Sequence, residues 1–337
     1  MADERQHVSL IAIPDAVIST LGGIYDVLSA FSAVAEIDKS VPAEAPFEVE
    51  IVGESCDPIT LADGLPLRIQ RGIDEIDHTD IVIVPSLLVS GTRWQKGRYP
   101  GLVDWLRAMH DGGASLCSAC SGIFLLGETG LFDGKPATVH WAFADKFKAS
   151  FPKIPASPEK VLIATGEEGR LISSGASTSW HDLVLHLIAE RVGPAAALAI
   201  ARYYALEWHR DGLAPYFVFV PSRDHGDSTI LGCQDWLADN FSIAHPVEEM
   251  TKRSGFTART FKRRFAKATG LTPIAYVQTL RIEASKRRLE SSDTAIDEIS
   301  WQVGYEDPAF FRRLFKRTTG ITPGAYRRKF RLPDLAD

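Results

Sequence analysis

Two groups of residues carry types and spacings that could do chemistry. The first is the run Cys117-Ser118-Ala119-Cys120-Ser121-Gly122, where an apolar stretch through Leu116 meets small residues and a helical pattern begins at once with Ile123-Phe124-Leu125-Leu126. A Cys among small neighbours at a strand-to-helix junction meets the steric demand of a nucleophile elbow, and the helix N-terminus would favour its thiolate. The same residues also suit a cysteine that is simply packed. The second group is a duplicated stripe of cations, Arg259, Lys262, Arg263 and Lys267, then Arg312, Arg313, Lys316 and Arg317. Cations on one helical face behind a Gly turn suit phosphates and base edges.

The remaining cysteines, Cys56 and Cys233, add no metal-ligand spacing. A single CxxC with no second pair and no nearby His is a weak zinc or redox signal, so no metal and no cofactor is expected. Redox sensing through Cys117 and Cys120 is a minor alternative. The start of the chain carries Asp3 and Glu4 and does not resemble a signal peptide, and no apolar run approaches the ~18 residues of a membrane span. A reducing cytoplasm and no membrane partner are the expectation.

The chain has 337 residues with 45% hydrophobic and 24% charged side chains, which suggests about two domains and excludes a disordered or fibrous chain. Its net charge of −6 argues against nucleic acid only as an average. Val247 to Arg331 holds 19 Lys and Arg against 9 Asp and Glu, a balance of +10, and leaves −16 for the rest. Two electrostatically opposite bodies share one chain, the footprint of a nucleic-acid-binding module joined to something else.

In the acidic part, short apolar runs at Val8–Ile13, Phe47–Gly53, Asp80–Pro85, Ala114–Ser118, Val161–Thr165 and Arg170–Ser174 read as strands. Helical patterns cover Thr20–Glu36, Gly101–His110, Ser121–Thr129, Phe143–Phe151 and Ser179–Arg191. Alternation predicts a mostly parallel sheet covered on both faces, with sites at the carboxyl ends of its strands. Asp26 and Asp182 are expected on helix surfaces. Trp141, Trp180 and His181 could line a small-ligand pocket.

The segment from Cys120 through Gly-Lys-Pro-Ala-Thr-Val-His140-Trp141, with Ile172-Ser-Ser-Gly-Ala and the helix after Asp182, resembles the ThiJ/PfpI (class I glutamine amidotransferase-like) superfamily. It is most similar to the branch that forms the N-terminal half of certain AraC-type regulators, over Val8 to Arg210. The resemblance implies a flavodoxin-like doubly wound sheet, Cys120 at the elbow and His140 as its neighbour. The departures matter as much. Enzymes of the superfamily place an acid where this chain has Thr20, peptidase-like members place a His where it has Ser121, and the usually glycine-rich oxyanion loop here reads Val84-Pro85-Ser86-Leu87. Nucleophilic catalysis needs an oriented base and oxyanion donors. A domain without catalysis is therefore expected, holding a ligand among Thr20, Ser86, Cys120, Ser121, His140 and Trp141. A Cys-dependent enzyme, amidase- or hydratase-like, is the alternative.

Residues 211–227 read as a linker, with Tyr216–Val220 packing on the first domain and a hinge at Asp224–Ser228. Beyond it, Gly255-Phe256, Phe265, Gly270, Thr272-Pro273 and Tyr276 recur as Gly304-Tyr305, Phe315, Gly320, Thr322-Pro323 and Tyr326, so one supersecondary unit occurs twice. A short helix, a Gly turn and a basic second helix capped by Thr257 or Asp307 describe a helix-turn-helix. The two units, bridged by a helix over Pro273–Glu290, resemble the AraC/XylS-type DNA-binding domain across 228–332. That resemblance implies base-edge contacts from Arg259, Lys262, Arg263, Ala309, Arg312 and Arg313, and phosphate contacts from Lys267, Lys316 and Arg317. The expected whole is a sensor domain over 1–210 and an all-α reader with two helix-turn-helix units, partnered by an operator in double-stranded DNA, a small effector and a second copy of the chain.

Overall fold

Runs of four to seven β-branched and aliphatic residues, each too short for a helix and each followed by an amphipathic stretch, dictate how the first part of the chain folds. The computed structural model describes residues 5–91 and 94–331. It divides into two compact units, Met1–Leu213 and Ala214–Asp337.

The first unit is built on a seven-stranded sheet with the order β5-β2-β1-β6-β7-β9-β8. Its strands are β1 (Gln6–Ile11), β2 (Phe47–Gly53), β5 (Arg71–Gly72), β6 (Ile81–Val84), β7 (Ser115–Ala119), β8 (Leu162–Thr165) and β9 (Leu171–Ser174), while β3 (Ile59–Thr60) and β4 (Pro66–Leu67) form a separate ribbon. Neighbours are parallel except β8, which runs antiparallel to β9 at the edge. Every residue of β6 and β7 is buried, as a central strand covered on both faces requires. Helices α1 (Ile18–Ser29), α2 (Phe31–Ala35), α3 (Pro100–Asp111), α4 (Ile123–Glu128), α5 (Ala144–Ser150), α6 (Trp180–Arg191) and α7 (Pro194–Tyr204) complete the unit. The mostly parallel doubly wound sheet matches the sequence expectation. The single helix expected over Thr20–Glu36 is instead two, broken after Ser29, and the new direction sets Phe31 edge-on against Phe47 at 5.6 Å.

The second unit is all helix: α8 (Ser228–Asn240), α9 (Pro246–Ser254), α10 (Ala258–Thr269), α11 (Pro273–Ser291), α12 (Ile296–Gln302), α13 (Pro308–Thr319) and α14 (Pro323–Phe330). It holds two cores, one around Met250, Phe261, Phe265 and Tyr276, the other around Ile299, Phe311, Phe315 and Tyr326. Two readings of the connecting segment need correction. Tyr216–Val220 takes its anchors from the second unit, since Phe219 packs edge-on to Tyr276 at 5.2 Å and Lys286 donates to the Phe217 carbonyl at 2.7 Å. Asp224–Ser228 is no free hinge either. Asp227 caps α8 by accepting from Ile230 N–H and takes a two-pronged ion pair from Arg264 at 2.9 and 3.0 Å.

Candidate functional sites: a cysteine elbow and two helix-turn-helix units

At the carboxyl end of β7 the chain reverses within one residue. Cys120 takes φ of +53°, a left-handed conformation that a non-glycine residue adopts only when its surroundings hold it there. Gly122 makes the reversal sterically open, because a Cβ there would lie 2.6 Å from the Pro85 carbonyl oxygen and closer still to that of Val84. The elbow read from the sequence is thus present as backbone geometry.

Its chemical equipment differs from that of an armed nucleophile. Cys120 is only 2% exposed, and its Sγ lies 4.0 Å from the Ser177 hydroxyl. Burial pushes the thiol pKa up, with the hydroxyls of Ser86, Ser177 and Ser121 and the Ser121 N–H acting the other way. Thr20, at the position where an acid was sought, donates to Ser86 Oγ at 3.1 Å. Ser121 fills the loop opposite: its hydroxyl donates to the Leu87 carbonyl at 2.6 Å and accepts from Leu87 N–H at 2.8 Å. The Leu87 N–H, one backbone donor of the loop facing the elbow, is therefore already engaged. Thr20, Ser86, Cys120 and Ser121 lie together, all of them buried.

His140 and Trp141 form their own cluster. The two rings stack at 5.4 Å, and His140 Nδ1 accepts from Ala142 N–H at 3.2 Å, capping the next turn. Partial burial lowers the His140 pKa and so favours the neutral ring. Trp180 is a packing residue: a Cβ on Gly23 would collide with its ring, so Gly23 lets that ring approach α1 closely. His181 sits edge-on against that ring at 4.1 Å. Cys117 is fully buried, and desolvation holds its thiol far up. Among the described residues no group of three or more His, Cys, Asp or Glu side chains could hold a metal ion.

Asp26 is exposed, but Asp182 is not the surface carboxylate expected from the sequence. It is 7% exposed and accepts from His209 twice, from its backbone N–H at 2.9 Å and its ring Nδ1 at 2.6 Å. The His209 Nε2 lies 3.3 Å from Thr178 Oγ1. No local pattern could have revealed this cluster, because its members are 27 and 31 residues apart.

In the second unit the duplicated sequence becomes a duplicated structure. Phe261 and Phe265 are 5.5 Å apart, Phe311 and Phe315 5.8 Å. Phe265 meets Tyr276 edge-on at 5.2 Å, and Phe315 meets Tyr326 at 5.4 Å. Thr257 caps α10 by accepting from Thr260 N–H, and Asp307 caps α13 by accepting from Ala309 N–H at 2.8 Å. Both helices end on a left-handed glycine, Gly270 and Gly320. With the aromatic face buried, Arg259, Lys262, Arg263, Lys267, Ala309, Arg312, Arg313, Lys316 and Arg317 are all exposed.

The bridge between the units is tighter than the sequence suggested. Arg281, in the middle of α11, donates from Nε to the Phe241 carbonyl, from Nη2 to Ile243 and from Nη1 to Gly304, at 2.8 to 2.9 Å, with its guanidinium over the Tyr305 ring. One side chain fastens the end of α8 and the turn of the second helix-turn-helix to α11. Gly304 must be glycine twice over: its φ is +95°, and a Cβ would sit 2.8 Å from Arg281 Nη2.

Residues 26–190 match the DJ-1/PfpI family and residues 250–329 match a helix-turn-helix domain family. The HTH-type transcriptional regulator CdhR of Pseudomonas aeruginosa is 26% identical over 267 residues, which span 75% of this chain and 74% of that protein. An isonitrile hydratase of Pseudomonas putida is 27% identical over 187 residues, 56% of this chain and 72% of the enzyme. A crystal structure from Vibrio parahaemolyticus superposes with a TM-score of 0.51 at 20% identity, covering 59% of this chain and 99% of that one, and so shares the fold of the first unit. No helix among the described residues is long and apolar enough to cross a membrane. With an elbow-bearing sheet before two helix-turn-helix units, the chain joins a region of the DJ-1/PfpI family to an AraC-type helix-turn-helix domain, the combination of a DNA-binding transcriptional regulator.

Proposed function

We propose that this regulator acts in the cytoplasm as a homodimer on an operator in double-stranded DNA, and that its first domain binds a small effector without catalysing a reaction. The observation that carries the DNA reading is the pair of helices α10 and α13, each with a buried Phe face and an exposed cationic face. Arg259, Lys262, Arg263, Arg312 and Arg313 are the base-reading set, Ala309 meets a thymine methyl, and Lys267, Lys316 and Arg317 hold phosphate. An effector would act by shifting the equilibrium between dimer arrangements that engage the two units differently.

A gel-shift series across salt concentrations tests this. Affinity should fall with a log–log slope of about −0.9 per phosphate contact. Salt-independent binding, or equal binding to promoter-proximal and scrambled duplexes, would sink the proposal.

Two observations favour an elbow without chemistry: the groups acting on the Cys120 thiol are the hydroxyls of Ser86, Ser121 and Ser177 and the Ser121 N–H, none of them a general base, and Leu87 N–H is already spent on Ser121. The competing reading, a Cys-dependent hydratase or amidase joined to a DNA module, has the strained elbow backbone and the likeness to an isonitrile hydratase behind it. Alkylation of Cys120 by iodoacetamide across pH separates the two. Because burial disfavours the thiolate, the rate should stay low through neutral pH and climb only above the ordinary thiol range. Rapid alkylation at pH 7 would instead mark an enzyme or a redox sensor.

A further inference from the structure

The segment that leaves the first unit forms one wall of a groove. After α7 the chain returns towards β8, and Trp208, His209 and Arg210 flank an open groove of about 700 Å³ whose other walls come from α6, α7 and the start of β8. The lining is mainly aliphatic, and Leu162, Ala189 and Leu198 are accessible there together with Trp208. That size and character suit a small organic molecule.

The charges at the groove say which kind. Asp182 contributes a carboxylate, but both its oxygens are engaged by the two donors of His209. His186 lies 3.8 Å from Glu190 on its own helix. Arg210 is different: it is exposed, its guanidinium lies 6.0 Å from the centre of the Trp208 ring, and it makes no ion pair among the described residues. An unpaired guanidinium offers two parallel donors to a planar anion, and the apolar walls offer burial to whatever hangs from it.

We propose that this groove binds a small carboxylate with an apolar body, the carboxylate on Arg210 and the body along Trp208, Leu162 and Leu198, and that it is the effector site of the first domain. The inference rests on the reading that this domain binds an effector. It adds where and what. The elbow is closed by its own side chains, whereas here a ligand touches the segment that leads directly in sequence to the reader. The Asp182–His209 clamp holds that segment to α6, so a ligand that packs against Trp208 and Arg210 favours one placement of the exit segment over another.

Calorimetric titration of the full chain with octanoate, 3-phenylpropionate and octylamine tests the site. The two carboxylates should bind saturably at one per chain, octylamine at least tenfold more weakly, and Arg210→Gln should weaken the carboxylates at least tenfold. Arg210 is exposed, so the variant should unfold at the wild-type temperature. Absent or unsaturable carboxylate binding, equal binding of the amine, or binding unchanged in Arg210→Gln overturns the site. Gel shifts with and without octanoate test the role separately. A change in operator affinity that disappears in Arg210→Gln supports the effector assignment. Octanoate binding that leaves operator affinity unchanged keeps the site and overturns its role as effector site.

Discussion

The two helix-turn-helix units are copies in sequence, yet the structure equips them differently. In the first, the cations of α10 that face outward, Arg259, Lys262 and Arg263, carry no ion pair among the described residues, and its turn glycine, Gly255, has open space around it at φ +67°. In the second, Arg312 is paired with Asp297 of α12, Arg313 lies 3.9 Å from the capping Asp307, and the turn glycine is wedged against Arg281. The first unit therefore presents unpaired cations, whereas two of the second unit's are held by internal carboxylates that the proposed contacts with phosphates and bases would have to displace. The second also depends on Arg281 for its place on α11. Duplication preserved the aromatic skeleton that fixes helix packing and left the charges free to diverge.

That contrast can be broken in four places, of decreasing effect. Gly304→Ala should cost roughly 3 kcal/mol or more, because it adds a clash to an unfavourable φ, while Gly255→Ala meets only the φ penalty of about 1 kcal/mol. Denaturant unfolding of both variants decides it, and equal costs would refute the wedge. Next, Arg259→Ala and Arg263→Ala should each weaken operator binding by about 1–3 kcal/mol. Arg312→Ala should cost less, since the free protein already satisfies that guanidinium. Third, Asp297→Asn should tighten DNA binding by about 0.5 kcal/mol, the typical strength of an exposed ion pair that must be given up. Weaker binding in that variant would show the pair to be a positioning device instead. The smallest effect concerns acid. The Arg264 guanidinium holds the Asp227 carboxyl below its ordinary range. A group with a depressed folded pKa adds stability above its unfolded pKa and loses it as pH falls through the folded one. Asp227→Asn should therefore be less stable than wild type at pH 7, by under about 1 kcal/mol, and the gap should close on acidification below pH 4.

Much of this was legible in the sequence wherever the governing interactions are local or repeated. The Phe pairs four residues apart, the caps at Thr257 and Asp307 and the glycine turns follow from helical geometry and backbone preference, so the second unit could be read almost element by element. The elbow was legible for the same reason: small residues around Cys120 are a local steric demand. What escaped depends on distant partners. Asp182 looks like a helix-surface carboxylate until His209, 27 residues later, folds back onto it. Arg281 reads as one more cation on a basic helix, although its acceptors lie 23 to 40 residues away. The pairing of Arg312 with Asp297 likewise follows from how α12 and α13 pack, which charge counting cannot show. Even the anchoring of Phe219 beside Tyr276 went against an expectation based on apolar content alone.

The central claim is that both units read DNA, each through its own helix. Selection of bound sequences from a random duplex pool tests it most directly, run with the wild type, with Arg259→Ala/Arg263→Ala and with Arg312→Ala/Arg313→Ala. A motif of two boxes about one helical turn, ~10 bp, apart is expected, with each double variant erasing one box and sparing the other. A single box, or two boxes that vanish together in either variant, would contradict it.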